Sequence, residues 1–442
     1  MILNLLPQPH PPRRTTRFSG WRMVVVAAIA LGMTGPGQTV GVSVFVDPMI
    51  DTLELSRSQV STAYLIGTLT GSVALPRLGR LIDDRGARVA MAIVGGAFGL
   101  VLMAMAGVVG LVTLVLGFIG IRLFGQGALS LVATTSVAPW FDRRRGLAIG
   151  VTTAVGSALL SLVPVVVSGA LLPLTGWRGA WVALGLAVWL IVVPLAMRGL
   201  IDRPSDVGQQ PDGAPVPTDE EAAAAAAEAA AVSFSRREAM RTPMFWAVAG
   251  GVAATGMIGT GLAFHQIDLL GEQGLTTVEA AANFVPQTVA SLTATLLVGA
   301  MVDRFASRWV LATSMAMLIT AMVMVPLVSP GLLAIAYGML VGSAGAATRA
   351  LEAASFPRLF GLAHVGSIRG VVTAISVGST AFGPLALSLG RDLTGSYVQV
   401  LLVLLVIPVA VTIMGLIAEV PTRPERADGA VPSSPGGNPS SS

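Results

Sequence analysis

The chain has 442 residues, of which 54% are hydrophobic and only 11% charged, with a mean hydropathy of +0.78. A soluble domain carries about 25% charged residues, so most of this surface belongs in lipid; disorder, a collagen-like fibre and a disulfide scaffold are excluded too, the last because there is no cysteine. The net charge of +4 comes from arginine, with no lysine in the chain, and no run combines basic residues with solvent-facing aromatics as a nucleic-acid surface would.

Apolar runs between charges predict an all-α polytopic membrane protein, each span needing roughly 20 residues. Twelve spans follow in chain order: Trp21–Val46, Val60–Leu78, Val89–Val109, Leu111–Val137, Gly146–Leu171, Ala180–Leu200, Met244–Ile267, Ala280–Val302, Trp309–Val328, Leu332–Phe356, Val371–Leu389 and Tyr397–Ala418. Two uncharged stretches, Val89–Ile121 and Trp309–Thr348, are too long for one span and read as helical hairpins. Gly107 and Gly110 turn the first; Pro326, Ser329, Pro330 and Gly331 turn the second. Arg13-Arg14 ahead of an apolar run looks like a twin-arginine leader, but the run through Val46 is too long and lacks a cleavage site, so an uncleaved first span is expected. Among the connections, the odd-numbered ones hold only Arg57, Arg178 and Arg391. The remaining loop and tail arginines lie on the other side, which predicts two cytoplasmic termini.

The expected organisation is a cytoplasmic tail (1–20), a six-helix bundle (21–200), a cytoplasmic linker (201–242), a second six-helix bundle (243–418) and a disordered tail (419–442). The linker holds the Ala-rich run Ala222–Ala231 between acidic and basic flanks, read as a tether. The halves repeat one another. Gly79-x-x-x-Asp83-x-x-x-x-Arg88 after span two returns as Gly299-x-x-x-Asp303-x-x-x-x-Arg308 after span eight, and Arg145-Gly146 returns as Arg369-Gly370. Val155-Gly156-Ser157 matches Val377-Gly378-Ser379, and Leu174-Thr175-Gly176 matches Leu393-Thr394-Gly395. Duplicated six-helix halves are the architecture of rocking transporters with a midplane site.

The Gly79–Arg88 motif and its second copy resemble the signature of the major facilitator superfamily. Further residues are similar to the bacterial monocarboxylate-porter and oxalate/formate-antiporter branch. They are Arg122-x-x-Gly125-x-Gly127, Trp140-Phe141-x-Arg143-Arg144-Arg145-Gly146, Gly176-Trp177-Arg178, Phe360-Gly361-x4-Gly366-x-Ile368-x-Gly370 and Gly383-Pro384. The resemblance implies the major facilitator fold in a bacterial inner membrane, with Gly79, Asp83, Arg88, Gly299, Asp303 and Arg308 gating the inner face. The chain departs from the animal carboxylate porters, which place a lysine in span one and an Asp/Arg pair in span eight. Here span one has no charge between Arg22 and Asp47, and span eight offers Asn283 and Gln287.

An ionisable group inside a span is costly unless it faces a cavity or partner. Arg122, mid-span four, is a candidate fork for a carboxylate or a brace between helices. His265 near the end of span seven is a proton-exchange candidate or a packing residue. Asp268, one turn on, pairs with it or marks the interface. Arg349 and Glu352 share one face of span ten, as a local ion pair or an inner gate. Gln38, Asn283, Gln287 and Tyr337 line a cavity or bond between helices. Gly32, Gly35, Pro36 and Gly37 interrupt span one, which suits a pathway wall.

The expectation is a secondary transporter of a small organic anion, monocarboxylate-like, working by alternating access with protons as the coupling ion and acting as a monomer. An exporter of drugs or lipophilic compounds is the alternative. An enzyme is not expected, since no nucleophile, acid/base pair or ligand cluster shares one membrane depth, and neither a metal nor a cofactor is implied.

Overall fold

The computed structural model describes residues 18–141, 144–211, 234–302, 304–361, 365–419 and 421, without the side chains of 75–80, 83, 145, 299–300, 302, 357 and 365–367. The expectations for the Ala222–Ala231 tether, for most of both tails, for Asp303 and for the Asp83 side chain fall outside that description. Gly79 and Gly299 lie on helices.

Backbone in lipid must satisfy its own hydrogen bonds, and the described residues are helical with no strand among them. Ten helical stretches are long and apolar enough to cross a membrane. One of these, Gly146–Gly199, is two spans, because Gly176 inside it takes φ 67°. The helix Arg57–Met105 is broken likewise at Gly86, φ 78°, and its first part is a span preceding Asp84–Met105. A side chain in the left-handed region costs about 1–2 kcal/mol, so glycine at these two corners lets consecutive helices reverse without a loop. Twelve crossings result: one, Gly20–Ser43; two, 57–83; three, Asp84–Met105; four, Leu111–Trp140; five, Arg145–Val166 continued by Val167–Leu171; six, 177–199; seven, Pro243–Phe264; eight, Thr277–Val298; nine, Ser307–Leu327; ten, Leu332–Phe360; eleven, Ile368–Thr394; twelve, Tyr397–Ile417.

Local chemistry sets the helix starts. Ser56 caps span two in a capping box with Gln59, and Thr276 caps span eight with Glu279. Span seven opens with Pro243 behind Thr242, whose hydroxyl accepts from Phe245 N. The predicted hairpin turns fall between Met105 and Leu111 and between Leu327 and Leu332.

Packing repeats between the halves. Span one lies against five as seven lies against eleven; two against four as eight against ten; three against six as nine against twelve. Contacts across the halves obey the same swap, since two meets eleven and eight meets five. The protein is thus two pseudo-symmetric six-helix bundles.

Spans seven and eleven approach closely. A Cβ at Gly383 would lie 2.0 Å from the Met257 carbonyl oxygen, whereas one at Gly378, a turn and a half earlier, would meet nothing within 4 Å. Gly383→Val is therefore expected to abolish the monodisperse peak in size-exclusion chromatography of detergent-purified protein, and Gly378→Val to leave it in place.

Candidate functional site

Two cavities lie between the halves. One, of about 320 Å³, is walled by spans one, five, seven, eight, nine, ten and eleven; its polar residues include Thr39, Thr255, Gln287, Ser291, Arg349 and Thr380. The other, of about 910 Å³, lies between spans two, four and eleven and is lined by Arg122, Gln126, Ser130, Thr134 and Thr373 among apolar and small neighbours. Thr380 belongs to both walls, so the cavities adjoin there.

Arg122 is placed by two interruptions of regular helix. Span four winds as π-helix over Ile121–Leu129, a deformation frequent at functional sites. Opposite it, span one is broken by the Gly35–Gly37 3-10 turn, where Pro36 has no N–H to donate. The backbones meet closely: a Cβ on Gly37 would lie 2.7 Å from Ile121 O. The Gly37 carbonyl thereby accepts from Arg122 Nη1 at 3.3 Å. The guanidinium also lies 4.6 Å above the Tyr64 ring, whose hydroxyl is 2.6 Å from Thr39 Oγ1. Only 3% of Arg122 is exposed, and its Nε and Nη2 have no hydrogen-bond partner among the described residues. Cation–π contact and one carbonyl offset part of the desolvation cost, leaving two buried donors unsatisfied on a residue of the cavity wall.

Gln287 lines the smaller cavity and belongs to an amide chain. Its Nε2 donates to Gln266 Oε1 at 2.6 Å and to Asn283 Oδ1 at 3.1 Å. Asn283, 4% exposed, stands at the break between the helices Thr277–Ala282 and Phe284–Val302 and braces Gln287 from behind. Tyr337 is fully buried and lines neither cavity; its hydroxyl has no partner among the described residues. Gln38 also stays out of both linings; its Nε2 donates to Thr34 Oγ1 within span one (3.1 Å) and to Ser130 Oγ on span four (3.5 Å).

Arg349 and Glu352 do not form the local pair that their spacing allows. Glu352 accepts from Arg369 Nε at 2.8 Å, across to span eleven. Arg349 instead reaches into the smaller cavity and has no ion-pair partner among the described residues. Glu352 thus takes its partner from the neighbouring helix, and Arg349 is left to the cavity. Arg88 binds the connection after span six, its N–H donating to Asp202 Oδ1 at 2.8 Å; Arg308 lies 6.0 Å over the Trp309 ring.

His265 is 1% exposed, so it lacks the contact with water that exchange at a membrane face requires. Its Nε2 is 2.9 Å from Pro384 O and its Nδ1 3.3 Å from Tyr397 Oη, and Tyr397 donates to Asp268 Oδ2 at 2.8 Å. Asp268 thus pairs through Tyr397 rather than with the imidazole directly.

It belongs to a charge cluster that sequence reasoning missed, on the face opposite the chain ends. Arg57 of the first half meets Asp47 at 2.7 Å and Asp268 of the second half at 3.2 Å, and Arg391 meets Asp268 at 3.6 Å and Glu272 at 2.7 Å. Ser58 donates to Asp392 across the same seam. Burial pushes the Asp47 carboxyl above the ordinary carboxylate range against the opposing pull of Arg57. Deeper in, Tyr64 and Phe264 pack with ring centroids 4.6 Å apart. These contacts join the two halves at that face. Replacing Arg57 with Gln is expected to raise, several-fold, the rate at which an impermeant maleimide added on that face labels a cysteine introduced at Thr260, a cavity residue. The chain's lack of native cysteine makes the reading unambiguous.

A family model of the Major Facilitator Superfamily matches residues 23–285. The oxalate:formate antiporter of Oxalobacter formigenes is 26% identical over 227 residues, which are 51% of this chain and 50% of the antiporter, so the chain spans about half the length of that curated relative. Among solved structures, a bacterial homologue of the human lysosomal transporter Spinster, inward-facing and unoccupied, superimposes with a TM-score of 0.68 at 16% identity, over 91% of this chain and 97% of that one. The nucleoside transporter NupG superimposes with a TM-score of 0.69 at 14% identity, over 90% and 98% of the two chains. With more than half of its length matched by that family and its helices laid out in the same fold, the chain belongs to the Major Facilitator Superfamily of transporters.

Proposed function

We propose that the protein carries a small organic anion through the membrane by alternating access, exchanging one anion for another. The observation that carries this reading is a pair of arginines, Arg122 from the first half and Arg349 from the second, on the walls of adjoining cavities, neither with an acidic partner among the described residues. An uncompensated cation at membrane depth is expensive, and a bound carboxylate supplies both the missing charge and planar acceptors for the guanidinium fork.

Exchange follows from the same electrostatics. Closing the cavities over bare guanidinium groups removes them from water with nothing in return, whereas closing them over an anion does not. The occupied protein therefore rocks more readily than the empty one, and the return stroke needs a second anion. Proton symport, expected from the sequence, would need a titratable group at the site; among the described residues no carboxylate and no histidine lines either cavity. The similarity to an oxalate:formate antiporter supports exchange of carboxylates. The apolar side of the larger cavity, with Leu69, Val73, Leu131 and Val377, also suits a lipophilic compound, but two unpaired arginines repel the cationic members of that class.

The bundles, from about residue 21 to 200 and from 243 to 418, are proposed to rock as units, joined by a linker on the cytoplasmic side together with both tails, as the arginine distribution supports. The charge cluster around Arg57 then closes the outer face, and the cavities open inward.

Reconstituted vesicles loaded with an organic acid are expected to take up labelled external acid by counterflow, with little uptake into empty vesicles at any imposed pH gradient. Gradient-driven uptake without internal anion would overturn exchange. Arg122→Gln and Arg349→Gln should each weaken anion binding roughly 10- to 100-fold, the worth of a hydrogen bond to a charged group, as read by calorimetric titration.

A further inference from the structure

The amide chain behind the smaller cavity has only one consistent orientation. At one end Gln266 Nε2 donates to the Ala280 carbonyl at 2.7 Å, and at the other Asn283 Nδ2 donates to the Ala334 carbonyl. A backbone carbonyl only accepts, so each of these side chains must turn its nitrogen toward the backbone and its oxygen toward Gln287. Both oxygens then need a donor, and the single group in reach of both is the Gln287 amide nitrogen, at 2.6 and 3.1 Å. Its two protons are spent. What Gln287 presents to the cavity is Oε1, an acceptor, and no donor reaches that oxygen among the described residues.

Neighbouring hydroxyls face the cavity in the same sense. Thr255, Thr288 and Ser291 donate to the carbonyls of Gly251, Phe284 and Gly342 at 2.8–2.9 Å, so each keeps only lone pairs for a ligand. Thr260 and Ser376 on the same wall can act either way. Arg349 supplies the opposite character, a fixed cation with donors only. One compartment of about 320 Å³ therefore pairs a site for negative charge with a fixed acceptor that a plain carboxylate leaves unsatisfied.

Resting on the anion reading above, we propose that this cavity selects anions that also carry a hydrogen-bond donor, a hydroxyl or amino group on the same small skeleton, with the carboxylate held by Arg349 and the donor by Gln287 Oε1. A buried acceptor discriminates because the analogue without the donor strips water from Oε1 and returns nothing.

The test is calorimetric titration of the detergent-purified full-length protein with two matched pairs, glycolate against acetate and malate against succinate. The hydroxylated member of each pair is expected to bind about tenfold more tightly. In Gln287→Met, which fills the same space without an acceptor, the two members should agree within about twofold. Acetate and succinate binding the wild-type protein as tightly as their hydroxylated partners would overturn the selection while leaving the anion reading intact. Failure of all four acids to bind would bring down the anion reading and this inference with it. The wild-type comparison decides the matter even where the Gln287→Met protein does not fold.

Discussion

A guanidinium group stays protonated at any depth in a membrane, and the way this protein accommodates two of them organises its centre. Arg122 is held by what the surrounding helices can release: a carbonyl freed at the broken turn of span one and the face of Tyr64. Neither contact neutralises it. The irregular backbone on both sides, a 3-10 turn facing a π-helical stretch, brings span one and span four close enough for that partial arrangement and leaves Nε and Nη2 without a partner among the described residues. Arg349 has fewer contacts still and faces the cavity open. Ordinary packing would have paired or excluded such charges.

The repeat explains where these charges sit. Spans two and eleven meet across the halves, as do eight and five, and cavity walls form beside those seams. Arg122 borders one seam and Arg349 looks across the other. Each half brings one cation to the walls of two adjoining cavities.

Much of the fold was legible because bilayer thickness and charge leave little freedom: uncharged stretches of fixed length, turn residues at 107–110 and 326–331, and arginines concentrated on alternate connections. The break at Gly35–Gly37 could be read from composition, and Arg122 stood out as a charge within an apolar run. What escaped was pairing. Spacing along span ten put Arg349 and Glu352 on one face, yet Arg369 arrives from another helix and takes the carboxylate. His265 stayed open between proton exchange and packing because its depth in the sequence says nothing about its contacts with Pro384 and Tyr397. Gln266 and Tyr64 carried no signal in the sequence; their roles exist only once span eight lies against seven and span two against four. The odd-loop charges were counted for orientation, and only the assembled structure shows Arg57 reaching Asp268.

That reach bears on how often the junction between the halves can be broken. Arg57 touches Asp47 on its own half as well as Asp268 on the other, while Asp268 keeps Arg391 and the Tyr397 hydroxyl on its own side. If the halves part there, the Arg57–Asp268 ion pair and the Ser58–Asp392 hydrogen bond are the contacts given up among the described residues, while Arg57 keeps Asp47 and Asp268 keeps Arg391. Such a fastening comes undone without stranding a naked ion in lipid and finds its mate again on return, which suits a carrier that repeats the cycle many times.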